Sequence, residues 1–163
     1  MLSLLRPGDL QNLSNQSEIY TLDVLALQEL RWSGSGIHNT TNGYTLYYSG
    51  HQNRGEFGDG FLVHRRVQQY IIDFRPTNMW ICTVRLCTKK FNITIFNAHA
   101  PTEDKSDDVK DLFFVELEDI INNIPHHDIK IIADDFNAKI GWSAKATPHI
   151  GQHSLHQLSN NDG

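Results

Sequence analysis

Three apolar stretches of this sequence, each typical of a buried strand, end on residues that could bind a metal ion or a phosphate. The stretches and the polar residues that follow them are 22–28 with Glu29, 91–98 with His99, and 129–133 with Asp134, Asp135 and Asn137. An unpaired buried carboxylate costs several kcal/mol, so strand ends are poor places for acids on grounds of stability. Hard divalent cations prefer carboxylate and amide oxygens. The pattern therefore predicts a cation site where these strands end.

Each of these polar side chains has a possible chemical role. Glu29 could hold Mg²⁺ or Mn²⁺, which polarises a phosphoryl oxygen. Asp135 could orient or deprotonate an attacking water. Asn137, two residues further on the same side of an extended segment, could donate to the phosphate oxygens. His99 could contact the phosphate or carry a proton.

The same residues also have ordinary structural interpretations. An Asp-x-Asn segment after a strand often forms an Asx turn without any chemistry. Glu29, taken alone, is more often a surface residue than a ligand. His99 could be a histidine whose hydrogen bonds are satisfied at a strand end. The coincidence of two strand-end acidic sites is what favours the functional interpretation.

Periodicity predicts the elements that must position these residues. A helix is expected from Pro7-Gly8-Asp9 to about Tyr20, and a second over 107–123, where apolar residues recur at three-and-four spacing. Residues 22–28 are apolar on both faces, which is typical of an interior strand. Further strands are predicted at 44–48, 61–63, 70–72, 80–87, 91–98 and 128–133, with loops at 32–36 and 50–60. This order predicts an α/β layered fold with a mixed sheet.

Length and charge limit the class of protein. The 163 residues suffice for one domain with a sizeable core. The net charge of −5 argues against a broad basic surface of the kind that neutralises nucleic-acid phosphates. It does not exclude a metal-dependent site for a phosphate ester, because the metal supplies the positive charge.

Cysteine spacing and hydropathy indicate the compartment. Cys82 and Cys87 lie five apart in one predicted strand, so their side chains should point to opposite faces. We therefore expect no disulfide and a reducing environment. No apolar run approaches the roughly 20 residues that a membrane helix needs, and residues 1–5 are too short for a signal peptide. The expected location is the nucleus or cytoplasm, with no secretion and no membrane partner.

Three motifs resemble the endonuclease/exonuclease/phosphatase superfamily in their order and spacing. They are Leu-Gln-Glu-Leu-Arg-Trp at 27–32, His-Ala-Pro-Thr at 99–102, and Asp-Phe-Asn-Ala-Lys-Ile-Gly at 135–141. The closest resemblance is to the apurinic-endonuclease-like domain of non-LTR retrotransposons and to craniofacial development protein 2-like proteins. Segments 7–13 and 151–156 also resemble that group, so the likeness covers nearly the whole chain.

The resemblance implies a four-layer α/β sandwich with mixed, mostly antiparallel sheets, and Mg²⁺-dependent (or Mn²⁺-dependent) cleavage of phosphodiesters in DNA. It assigns Glu29 to the metal, Asp135 to the attacking water and Asn137 to the phosphate. His99 stands where the broader superfamily often has Tyr, and we include it among the catalytic residues. The usual Gly before the catalytic Asp is Asp134 here, and an extra carboxylate could raise the pKa of its neighbours.

The resemblance also implies further segments. Members open with a strand that carries an Asn near the metal, and they close with an Asp-His pair, neither of which lies in this sequence. We therefore expect 1–141 to form an incomplete, inactive domain with exposed apolar patches at 22–28 and 91–98. Residues 142–163 are expected to form a polar loop or tail. The alternatives to a DNA endonuclease are a non-catalytic fragment or binding module, and a phosphodiesterase for a small phosphorylated substrate.

Overall fold

The computed structural model describes residues 4–53, 55–138 and 158–159. Within these ranges the chain forms helices and strands arranged as two four-stranded sheets. The helices are α1 (Asp9–Ile19), α2 (Arg65–Gln68) and α3 (Asp107–Asn122). The strands are β1 (Val24–Leu27), β2 (Ser35–Asn39), β3 (Tyr44–Ser49), β4 (Asp59–His64), β5 (Ile71–Pro76), β6 (Ile81–Leu86), β7 (Ile93–His99) and β8 (Ile129–Asp135).

The two sheets differ in one pairing. The first sheet has the strand order β1-β4-β3-β2, and the second has the order β5-β6-β7-β8. All neighbouring strands are antiparallel except β7 and β8, which are parallel. A parallel pair requires a crossover connection, and α3 lies in that connection between β7 and β8. The predicted combination of mixed, mostly antiparallel sheets is confirmed.

Three hydrophobic clusters separate four layers. One cluster lies between α1 and the first sheet and includes Leu10. A second lies between the sheets, where Phe61 of the first packs in the same cluster as Val84 of the second. The third lies between the second sheet and α3 and includes Phe96 and Phe113. The layer order α1, first sheet, second sheet, α3 is the α/β sandwich that the sequence predicted.

The two long helices follow from the sequence pattern. Asp107 and Asp108 occupy the first turn of α3, where the helix dipole favours negative charge. Phe113 and Leu117, four residues apart, lie on one face and are buried against the second sheet. The predicted helices at 7–20 and 107–123 are thus confirmed with shifts of one or two residues at their ends.

Two elements were not predicted. β2 lies partly in the segment expected to be a loop, and its residues are mostly exposed, so it carries no apolar periodicity to detect. It is instead held by antiparallel pairing with β3. α2 is a single turn after β4, in which the side chain of His64 accepts a hydrogen bond from the backbone N–H of Arg66.

β1 and β8 are edge strands of their sheets in the described part of the chain, so the interior position predicted for them is wrong. β1 is apolar on both faces because the sandwich covers both faces. Leu27 packs in the cluster with α1, whereas Val24 and Ala26 pack in the cluster between the sheets. Coverage of the faces, rather than a central place in a sheet, explains the pattern.

The exposed apolar side chains are not where the sequence placed them. The predicted segment 22–28 is largely half-buried. The predicted segment 91–98 begins with the exposed Phe91, and its other residues are half-buried or buried. The larger exposed set lies on β8 and α3 and comprises Ile129, Ile131, Ile132, Leu112, Phe114 and Val115. The isoleucines of β8 are 43–45% exposed. β7 is covered because it has β6 and β8 as neighbours, whereas β8 has β7 alone within the described ranges.

Three further expectations concern the chain as a whole. Cys82 is buried and Cys87 is exposed, and both are free thiols. No helix in the described ranges is long and apolar enough to cross a membrane. The predicted boundary at 141 and the polar tail at 142–163 lie outside the described residues, apart from Leu158 and Ser159.

A buried amide joins the two sheets near the ends of β1 and β7. Asn97 is fully buried, and its Nδ2 donates to the backbone oxygens of Leu27 at 2.8 Å and Gly60 at 2.7 Å. Its Oδ1 accepts a hydrogen bond from Nε2 of Gln28 at 2.7 Å. The amide therefore fixes the end of β1 and the start of β4 against β7, and its bonds to Leu27 and Gly60 are shielded from water.

Replacing Asn97 by Ala should loosen this junction. The change leaves the carbonyls of Leu27 and Gly60 and the amide of Gln28 without these partners, and unsatisfied buried groups cost roughly 1–3 kcal/mol each. We expect the free energy of unfolding, measured by urea denaturation, to fall by about 2–4 kcal/mol. The exposed Asn122→Ala on α3 is the control, with a change within about 0.5 kcal/mol. Equal effects of the two substitutions would contradict this role for Asn97.

Candidate active site

The strand ends that the sequence singled out meet at one end of the sandwich. β7 and β8 run parallel with His99 opposite Asp135, so both strands finish at the same edge. Asn97 fixes the end of β1 against β7, and the chain then reaches Glu29 two residues later. The Oε1 atom of Glu29 lies 3.7 Å from Nε2 of His99. The fold thus gathers Glu29, His99 and Asp135 from three strands.

Glu29 is held in a strained loop after β1. Its φ is 55°, and that of Arg31 is 59°, both in the left-handed region that non-glycine residues rarely adopt. Leu30, between them, is buried, and its N–H donates to the backbone oxygen of Gly58 at 2.7 Å. Such strain persists only where the surrounding structure enforces it, and it clusters at functional sites.

The side chain of Glu29 is only partly accessible. It is 31% exposed and has two cationic or potentially cationic neighbours, His99 on one oxygen and Arg31 at 3.5 Å on the other. Glu29 is less exposed than a typical surface carboxylate. A half-buried carboxylate fixed by its backbone and flanked by His99 is instead suited to ligand binding.

Asp135 and Asn137 are joined by a turn rather than an extended segment. The N–H of Asn137 donates to Oδ1 of Asp135 at 3.1 Å, and Asn137 has a φ of 50°. The prediction of an extended segment is therefore wrong, and the Asx-type turn is what forms. The turn still directs both side chains to this end of the sandwich. The Nδ2 of Asn137 donates to the backbone oxygen of Ala100 at 2.7 Å, and Asp135 is exposed.

His99 is buried, and only one of its two ring nitrogens faces a polar group. Its Nε2 faces Glu29, whereas its Nδ1 is buried without a hydrogen-bond partner in the described structure. The alternative of a histidine satisfied at a strand end is thus wrong for one of its two nitrogens. An imidazole in this state can still exchange a proton or donate to an anion through Nε2.

Asp59 is a buried acid beside the candidate site that the sequence reasoning did not identify. The β1–β4 register ends with Leu27 opposite Gly60, and Asp59, one residue before Gly60, lies close enough to the backbone N–H of Glu29 to interact with it. Asp59 is fully buried, and neither of its oxygens has a hydrogen-bond partner of normal geometry among the described residues. The sequence signal was an acid between two glycines, directly before an apolar strand, in a segment interpreted as a loop.

The environment of Asp59 strongly favours its neutral form. Burial raises the pKa of Asp59 to about 9. The backbone N–H of Glu29 acts in the opposite direction, and the negative charges of Asp134 and Glu29 raise the pKa further. A buried carboxyl whose charge is opposed by burial and by two neighbouring acids, with one backbone N–H acting in its favour, would gain much from a nearby cation.

Asp134 lies on the other face of the second sheet. Paired residues of parallel strands share a face, and Asp134 pairs with Ala98, which packs in the cluster beneath α3. His99 and Asp135 instead share the face of Asn97, which contacts the first sheet. Both oxygens of Asp134 are buried without a partner, and burial raises its pKa to about 7, aided by the charge of Asp135.

The residues at this end of the sandwich fit a hard divalent cation. Among the described residues no three His, Cys, Asp or Glu side chains are grouped closely enough to hold a metal ion. Mg²⁺ is commonly bound through one or two carboxylates and keeps several waters. Glu29 provides one carboxylate, and Asp59 beside it lacks any other partner.

Comparison with curated proteins identifies relatives over most of this chain. Over 137 residues it is 31% identical to craniofacial development protein 2 of Bos taurus, covering 84% of this chain and 23% of that protein. The protein of the same name in Tragulus javanicus is also 31% identical over 137 residues, with coverages of 84% and 24%. The chain thus spans about a quarter of the length of these relatives. No protein-family model matches the chain.

Comparison with solved structures identifies the fold. The endonuclease domain of TRAS1, a telomere-specific non-LTR retrotransposon, matches with a TM-score of 0.56 and 18% identity, covering 84% of this chain and 57% of that one. An endonuclease/exonuclease/phosphatase family protein from Leptotrichia buccalis matches with a TM-score of 0.53 and 15% identity, with coverages of 83% and 63%.

The chain is homologous to craniofacial development protein 2 and has the endonuclease/exonuclease/phosphatase fold. The resemblance predicted from the three sequence motifs is therefore confirmed, as is the α/β architecture. The roles that the resemblance assigns to Glu29, His99, Asp135 and Asn137 stay predictions.

Asp134 should make the stability of the protein depend on pH. Because its pKa is raised in the folded state, its stability contribution is fully present below about pH 4 and is lost as the pH rises to about 7. We expect Asp134→Asn to be more stable than the parent protein at pH 8, by an amount on the order of 4 kcal/mol. The difference should vanish near pH 4.

Urea denaturation of the two proteins at several pH values measures this effect. The exposed Asp111→Asn on α3 controls for the loss of one negative charge. A stability difference between the parent and Asp134→Asn that does not change between pH 4 and pH 8 would refute the assignment.

Proposed function

We propose that this chain carries the hydrolytic centre of a divalent-metal-dependent, nuclease-like phosphodiesterase that acts on DNA. The observation that carries the proposal is the convergence of Glu29, His99 and Asp135 at the ends of three strands, with Asn137 in the adjoining turn. The endonuclease/exonuclease/phosphatase fold supports the same reaction class, since one of its matched structures is an endonuclease domain.

Asp135 is the group proposed to act on the attacking water. It is exposed at the end of β8, so a water can reach its carboxylate, and general-base assistance of this kind typically contributes 10²–10⁴-fold to a rate. The turn that joins it to Asn137 holds one carboxylate oxygen in place through the backbone N–H of Asn137. The orientation of the carboxylate is therefore set before substrate binds.

Asn137 and His99 are proposed to contact the scissile phosphate. The amide of Asn137 is anchored on the backbone oxygen of Ala100, immediately after His99, so both side chains follow the end of β7. N–H groups held in position stabilise charge that develops on phosphate oxygens. Nε2 of His99 lies beside Glu29, where it can donate to a phosphate oxygen or transfer a proton.

Glu29 is the residue proposed to hold Mg²⁺ or Mn²⁺. When bound, the cation supplies Lewis acidity toward a phosphoryl oxygen and positive charge at an acidic site. The chain has a net charge of −5, so phosphate binding without such a cation would be opposed by the carboxylates around it. We therefore propose that activity depends strictly on the added metal.

DNA is the proposed substrate because the TRAS1 match is the endonuclease domain of a telomere-specific retrotransposon. Action on DNA agrees with the nucleus as one of the two predicted locations. The small phosphorylated substrate considered from the sequence would use the same groups, so the two substrate classes must be separated by assay. Such an assay also tests the expectation, drawn from the sequence, that the chain is inactive.

Nicking of supercoiled plasmid by the purified chain tests this function. We expect nicking with Mg²⁺ or Mn²⁺, none with EDTA, and a loss of about 10²-fold or more for Asp135→Asn and Asn137→Ala. Asp111→Asn on α3 should retain the parent rate. A soluble phosphodiester such as bis(p-nitrophenyl) phosphate forms the second substrate arm.

The outcomes separate the three functions. Cleavage of the small phosphodiester without plasmid nicking would replace DNA by a small substrate. No cleavage of either compound with either metal would show that the chain is a non-catalytic fragment.

A further inference from the structure

Asp59 is a buried ionisable group to which the proposed reaction gives no role. It begins β4, is fully buried, and has no hydrogen-bond partner on either oxygen within the described ranges. Native proteins rarely bury a carboxyl in this state without a reason, because unsatisfied polar groups lower stability. Its position therefore calls for a partner of opposite charge or for a proton donor.

The fold directs Asp59 toward the candidate active site. Phe61, two residues later on β4, packs between the sheets, so strand alternation places Asp59 on the same inner face. Gly60 accepts a hydrogen bond from Asn97, which fixes this part of β4 against β7. On the neighbouring strand the chain leads from Leu27, opposite Gly60, to Glu29. Asp59, at the start of β4, and Glu29, in the loop after β1, thus lie at the same end of the first sheet, and the backbone N–H of Glu29 is close enough to act on the Asp59 carboxyl.

We propose that Asp59 and Glu29 together hold the divalent cation, as a pair of carboxylates supplied by β4 and by the loop after β1. This inference rests on the proposed function, which places a cation at Glu29. Two carboxylates with water in the remaining positions form a typical environment for Mg²⁺ or Mn²⁺. The pair also balances the two positive charges, so neither the cation nor Asp59 remains an uncompensated buried charge.

The surroundings of the pair favour this ligand set over other acids nearby. Asp134 is also buried without partners, but it lies on the α3 face of the second sheet. His99 approaches Glu29 at 3.7 Å, which suits a neighbour that orients a ligating carboxylate. Carboxylate oxygens without cysteine select a hard cation such as Mg²⁺ or Mn²⁺ rather than a thiophilic metal.

Direct measurement of Mn²⁺ binding tests the pair without reliance on activity. Free Mn²⁺ is measured by electron paramagnetic resonance during titration of the whole chain and of Asp59→Asn, Glu29→Gln and Asp134→Asn. We expect each of the first two substitutions to weaken Mn²⁺ binding about tenfold or more. Asp134→Asn, which also removes a buried unpartnered carboxyl, should leave the affinity within about threefold.

The outcomes separate this inference from the proposed function. If Asp59→Asn keeps the parent affinity while Glu29→Gln loses it, Asp59 is not a ligand, although the cation at Glu29 stands. If the parent chain binds no Mn²⁺, the cation at Glu29 and the pair are both refuted. If both substitutions weaken binding and Asp134→Asn does not, the pair is supported.

A folding control keeps the test decisive. Circular dichroism in EDTA should show that Asp59→Asn folds, since the change removes a carboxyl that has no partner to lose. If this variant does not fold, Asp59→Ser takes its place in the same titration. Mn²⁺ should also raise the melting temperature of the parent chain and of Asp134→Asn, but not that of the folded Asp59 variant.

Discussion

The candidate site depends on the buried amide of Asn97. Its bonds to Leu27, Gly60 and Gln28 hold the end of β1 and the start of β4 against β7. Glu29 and His99 come from different sheets, and they meet because this junction sets the separation of the sheets at that end. Apolar packing alone would not specify that separation, since hydrophobic contacts are non-directional. A satisfied amide in a dry interface provides the direction.

Asp134 and Asp135 lie on opposite faces of the second sheet and therefore have different environments. Asp135 ends β8 on the face that contains Asn97 and His99, where its exposed carboxylate can serve chemistry. Asp134, one residue earlier, points beneath α3, where burial is the main cause of its raised pKa and the main effect is a loss of stability. A carboxylate at position 134 therefore affects the stability of the fold more than it affects the candidate site. One register position separates the exposed carboxylate of the candidate site from a buried, destabilising one.

Local periodicity predicted what is local in this fold. The helices containing Leu10 and Phe113 and the apolar strands were visible as repeating patterns. The motifs singled out Glu29, His99, Asp135 and Asn137, whose roles stay predictions. β2 carried no apolar signal, because its stability comes from pairing with β3. The sequence could not link Asp59 to Glu29, because the two acids, 30 residues apart, approach each other only through the pairing of β1 with β4. The face of the second sheet on which Asp134 lies likewise could not be predicted without the register of β7 with β8.

A cation held between Asp59 and Glu29 would link the chemistry of the site to the stability of the fold. One carboxylate begins β4 and the other lies in the loop directly after β1, so the pair exists only when these two strands are paired and packed against β7. Binding that requires the folded state stabilises it by about 2.7 kcal/mol at a metal concentration one hundred times the dissociation constant. That amount is comparable with the effect of one unpartnered buried carboxyl. A site that lowers the free energy of unfolding of the metal-free chain can therefore leave it unchanged once the metal is bound. Metal binding of this kind would let a folded protein keep strained backbone and buried acids at the end of a strand.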